Sequence, residues 1–108
     1  MRRIATLAAA LLAASALVAQ AADDKAAEAL AKKSNCLKCH SVDKKKDGPS
    51  YKEIAAKYKG KPDAEQKLAT HLTTGPKVKV DGKEEAHDNL KTKNDAEVKN
   101  VVQWILTR

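Results

Sequence analysis

Both cysteines of this chain stand in a single run, Cys36-Leu37-Lys38-Cys39-His40. The spacing C-x-x-C-H is that of a covalent c-type haem attachment. Two thiols so placed can add to the two vinyl groups on one haem edge, and the adjoining imidazole can bind the iron. Other readings of the pair compete with this one. A zinc site needs four ligands; His71 and His87 would complete the count, but at irregular spacing. A thioredoxin-like C-x-x-C needs a strand–helix setting, whereas here helical patterns flank the motif. A plain disulfide across two residues is strained. The haem reading alone agrees with the helical pattern, the export signal and the histidine together.

Composition sharpens the point. The chain has no Phe, one Trp (Trp104) and two Tyr (Tyr51 and Tyr58). A domain this small buries proportionally little surface and often needs a staple or cofactor. A haem would supply the large flat apolar body that these side chains do not.

The N-terminus reads as an export signal. Arg2 and Arg3 form a charged start, Ile4 to Val18 an apolar stretch, and Ala19-Gln20-Ala21 a small-x-small cleavage site. We expect residues 1–21 to be a secretory signal peptide and residues 22–108 the mature domain, in the periplasm. The runner-up is an uncleaved anchor, but the apolar run is short of the ~20 residues of a membrane span. No stable membrane insertion is expected after cleavage. Basic residues number 21 against 14 acidic, net +7; without Arg2 and Arg3 the count is 19 against 14. Such a balance suits either solubility or attraction to acidic protein surfaces. No basic-aromatic pattern suggests nucleic acid.

Four helices are expected. The first starts at Asp23-Asp24, whose charges suit a helix N-terminus, and runs to about Lys33. Lys44-Lys45-Lys46-Asp47 forms a loop ending at the turn signal Gly48-Pro49. Ser50 caps a helix to Tyr58, with Glu53 completing a capping box and Ile54 and Ala55 inward. Pro62 opens a third helix to about Thr73, with Leu68 and Leu72 buried and Gly75-Pro76 as its stop. Gly75 to Lys93 shows no convincing period and reads as a long, functional loop. Asn94 and Glu97 cap the last helix, whose stripe is Val98, Val101, Val102, Ile105 and Leu106. Trp104 falls just off that stripe, toward the first helix.

On Cys36 to His40, on Gly48-Pro49-Ser50-Tyr51-Lys52-Glu53-Ile54-Ala55-Ala56-Lys57-Tyr58, and on Asp95 to Arg108 with Trp104-Ile105-Leu106, the chain resembles small bacterial class I cytochromes c. The likeness covers nearly all of the mature chain. It implies an all-α fold of about four helices around one haem, with the terminal helices crossed. It also implies that His40 is the proximal ligand and that the Pro49 carbonyl orients it.

One departure stands out. The family usually ligates the sixth iron position with a Met in a proline-rich loop, and the sole Met here is Met1. The corresponding loop, Lys83 to Leu90, has no proline, and a Trp often found earlier in it is missing. His87 falls where the Met would, and is the expected distal ligand. His71 is the rival, with a place beside a haem propionate favoured for it. Asn89, an open site, or a deprotonated Lys83 or Lys91 are the other options.

Met/His ligation raises the haem potential, so a bis-His iron is expected at lower potential. The expected function is electron transfer by a monomer to redox partners with acidic docking surfaces, with Lys38 and Lys52 orienting them. No enzymatic chemistry is expected. The alternative is a CO, NO or oxygen binder with a labile His87. A peroxidase-like enzyme finds no acid–base pair beyond Glu84 and Glu85, which a solvated loop face explains.

Overall fold

The computed structural model describes residues 23–108. The expected signal peptide, its cleavage site and Met1 lie outside them. Four helices form: α1 (Asp24–Lys33), α2 (Tyr51–Tyr58), α3 (Ala64–Thr73) and α4 (Asp95–Leu106). Strands β1 (Lys77–Val80) and β2 (Lys83–Ala86) lie between α3 and α4.

The helix starts follow their caps. The Asp23 carboxylate accepts from the Ala26 amide at 3.1 Å. Ser50 Oγ accepts from the Glu53 amide at 3.1 Å, which is half of the expected capping box. Asn94 Oδ1 accepts from Ala96 and Glu97. Glu97 does not return to Asn94; its carboxylate accepts a hydrogen bond from the Thr92 hydroxyl, and Thr92 Oγ1 accepts from the Asn94 amide. Helix α3 starts at Ala64, two residues after Pro62. Asp63 makes no cap there and pairs with Lys67 at 3.2 Å.

Helix α4 is the hub, packing against α1, α2 and α3. Ala27 and Ala31 are fully buried; their small side chains let α1 approach α4 closely. The ends of this pair are tied. The Asp23 amide donates to Asn100 Oδ1 at 2.7 Å, and Asn100 Nδ2 donates back to the Asp23 carbonyl at 3.0 Å. Arg108 reaches Asp24 at 3.5 Å.

Trp104 is among the most buried side chains, at 5.1 Å edge-on to Tyr51 of α2. With so few aromatics, the two largest buried ones meet. The segment expected to be a loop holds an antiparallel hairpin, pairing Lys77 with Ala86, Val78 with Glu85, Lys79 with Glu84 and Val80 with Lys83. Asp81 and Gly82 both have positive φ, 51° and 78°, as a two-residue type I′ turn requires. Asp-Gly between alternating Val and Lys was the local signal for it. No helix among the described residues is long and apolar enough to cross a membrane.

Candidate haem site

Residues Cys36–Lys38 form a single 3-10 turn after α1. The His40 amide donates to the Cys36 carbonyl at 3.0 Å, and the Cys39 amide to the same oxygen at 3.3 Å. Side chains three and four apart on a helical turn share a face. The turn therefore presents both thiols and the imidazole together.

The following loop folds back and holds the motif. The Gly48 amide donates to the Cys39 carbonyl at 2.8 Å, and Lys46 Nζ to the Leu37 carbonyl at 2.9 Å. His40 Nδ1 lies 2.7 Å from the Pro49 carbonyl oxygen. A carbonyl only accepts, so Nδ1 carries the proton and Nε2 is left with its lone pair free for a metal. Gly48 lies flat against that ring. A Cβ at this position would stand 2.6 Å from His40 Cε1. Tyr51 stacks on the same imidazole, centroids 5.4 Å apart and planes 21° apart. Sequence reasoning took Gly48 for a turn residue; its close approach to His40 is a tertiary fact.

His87 faces His40, with centroids 6.1 Å apart and planes inclined at 48°. His71, on α3, meets His87 edge-on at 4.4 Å. The two histidines treated as rivals are thus neighbours. Burial, then the proximity of the other histidines, pushes the His71 imidazolium down; burial, then His40, does the same for His87. Both are held toward the neutral form, the one that binds metals. His87 Nδ1 and Trp104 Nε1 are buried without hydrogen-bond partners. Lys83, Asn89 and Lys91 are all exposed.

These residues suit a haem. Cys36 and Cys39 are unbridged and half-buried. Burial raises the Cys36 thiol, whereas redox-active C-x-x-C thiols are lowered. No group of three or more His, Cys, Asp or Glu converges on a metal-sized site among the described residues, which disfavours zinc. The 6.1 Å between the His40 and His87 ring centroids is compatible with both imidazoles holding one metal ion.

A helical shell with two adjacent thiols and an oriented imidazole on one face defines a small protein that holds a single haem by thioethers. Residues 25–108 match the family described as cytochrome c, and the chain belongs to it. It is 44% identical over 78 residues to cytochrome c-552 of Nitrosomonas europaea, covering 72% of this chain and 74% of that one. It is 36% identical over 98 residues to cytochrome c-551 of Pseudomonas aeruginosa, covering 91% of each. The crystal structure of the class 1 cytochrome MtoD from Sideroxydans lithotrophicus ES-1 superposes with a TM-score of 0.77 at 55% identity, covering 81% of this chain and 97% of that one. The chain is an electron-transfer haem protein that binds one covalent haem c through Cys36 and Cys39.

Proposed function

We propose that this protein is a periplasmic one-electron carrier whose iron is held by His40 and His87, at a lower potential than Met-ligated relatives. The observation that carries the reading is the 6.1 Å between those two imidazoles, in a chain whose only Met is Met1. The haem supplies reversible one-electron chemistry at its iron. The chain's part is to hold ligands that do not move during it. Pro49 keeps His40 in one tautomer and orientation. Gly48 and Tyr51 both pack against its ring. His87 brings a neutral imidazole, and an imidazole raises the potential less than a thioether does. His71, half-buried beside His87, is read as the residue at a haem propionate. The family's members are electron carriers, and the reading here is of a carrier and not an enzyme.

Charge distribution supports partners with acidic docking surfaces. Eight basic residues lie between Lys38 and Lys61, against the acidic Asp43, Asp47 and Glu53. In the rest of residues 23–108, eleven basic side chains balance eleven acidic ones. The whole excess thus sits in the segment that carries Cys39, His40 and α2. Lys57 and Lys61 flank the Tyr58 ring at 5.5 and 5.7 Å. Lys52 is paired with Asp43 at 2.6 Å, so it is a weaker docking contact than Lys38. Export and a monomeric state complete the reading.

Absorption and electron paramagnetic resonance spectra of the holoprotein test the ligation. The parent should be six-coordinate and low-spin in both redox states, and His87→Ala should lose that signature. An unchanged spectrum in His87→Ala would refute the distal assignment.

A further inference from the structure

The β1–β2 hairpin is exposed along all of β2 and contributes nothing to the buried core. A bare two-stranded ribbon is marginal in water. Stability therefore gives no reason for it. Its position does. His87 directly follows β2, and its amide donates to the Pro76 carbonyl at 2.8 Å. That bond extends the ladder by one pair, Pro76 with His87, in register with Val78–Glu85 and Val80–Lys83.

Register then decides where His87 points. Side chains alternate along a strand, so His87 shares a hairpin face with Pro76, Val78 and Val80 of the first strand and with Lys83 and Glu85 of its own. Pro76, Val78, Val80 and His87 are half-buried, and Lys83 and Glu85, toward the turn, are exposed; on the other face Lys77, Lys79, Glu84 and Ala86 are all exposed. A slip of one residue would turn His87 to the exposed face. The Asp81-Gly82 turn prevents the slip, because a two-residue loop with both φ positive closes only on Val80–Lys83.

The chain is also tied just after His87. The Leu90 amide donates to the Leu72 carbonyl at 2.9 Å, and the Lys91 amide to Ser34 Oγ at 2.8 Å. His87 is therefore held between a ladder and an anchored turn, unlike a ligand on a free loop.

We propose that the hairpin is the positioning arm of the distal ligand: its register aims His87 and its ladder holds the imidazole against dissociation from the iron. This rests on His87 being that ligand. The test uses the full-length holoprotein. Gly82→Val disfavours the I′ turn, and Glu85→Pro removes a ladder amide. Asp81→Asn keeps a residue suited to the turn, and His87→Ala marks complete ligand loss. CO association with the ferrous protein reads the unbound fraction of His87. Amide exchange at His87 reads the ladder, and thermal unfolding reads the helical shell. The expected result is that Gly82→Val and Glu85→Pro speed His87 amide exchange and raise CO association about tenfold, as a tenfold larger unbound fraction gives. Asp81→Asn should match the parent, and the unfolding midpoints should stay close together. Faster amide exchange with an unchanged CO rate, while His87→Ala is fast, would overturn the arm alone. A parental CO rate in His87→Ala would overturn the distal assignment and the arm with it.

Discussion

The imidazoles of His40 and His87 lie 6.1 Å apart at their centroids, from opposite halves of the domain's sequence. One comes from a 3-10 turn after α1. The other comes from the base of a hairpin after α3. Each is supported differently: His40 by a carbonyl, a glycine and a tyrosine ring, His87 by a β-ladder and the His71 ring.

Ligand type should set the potential. His87→Met restores the thioether usual in the family and should raise the reduction potential above the parent's. Spectroelectrochemical titration of both proteins checks this. A parent potential equal to or above that of a Met-ligated variant would contradict the bis-His reading.

Gly48 should tolerate no side chain. A Cβ there would overlap His40 Cε1 at 2.6 Å, and the ring cannot turn away without losing its bond to Pro49. We expect Gly48→Ala to destabilise the holoprotein by about 1–3 kcal/mol, as overpacking does. It should also disturb the proximal ligand signals. Denaturant unfolding and nuclear magnetic resonance of the His40 ring protons measure the two effects.

Ser34 joins the end of α1 to the segment that follows His87. It is 1% exposed, and its hydroxyl accepts from the Lys91 amide at 2.8 Å. Ser34→Ala leaves that amide without its partner and should cost about 1–3 kcal/mol. Ser34→Thr, which keeps the acceptor, should recover part of it. Urea unfolding of the three proteins decides.

The lysine-rich segment should govern association. Lys57→Glu together with Lys61→Glu should slow electron transfer to an acidic partner. Raising ionic strength should slow the parent more than this variant, since exposed charges are screened within about 10 Å at 0.1 M salt. Stopped-flow rates against salt concentration measure both slopes. Equal slopes would place docking elsewhere.

Much of the molecule was legible from residues close together in the chain. The C-x-x-C-H spacing named the cofactor because thiols and imidazole need only one turn to share a face. Ser50 and Asn94 marked their helices because a cap is a bond across two or three residues. The valines of α4 showed their buried stripe by period alone. That Trp104 meets Tyr51, on another helix, has no local signal. The hairpin went unseen because Val78 and Val80 alternate with lysines in a short exposed ribbon, and the positive-φ pair Asp81-Gly82 was the clue passed over.

Local chemistry thus specifies the haem attachment, His40 beside it and the helices, all of which act over one to four residues. The surroundings of His87 are different in kind. That His87 rather than an exposed Lys83, Asn89 or Lys91 faces His40, with His71 against its ring, depends on strand register and on ties to Leu72 and Ser34. Those bonds join residues far apart in the chain, and only packing the helices together brings them within reach.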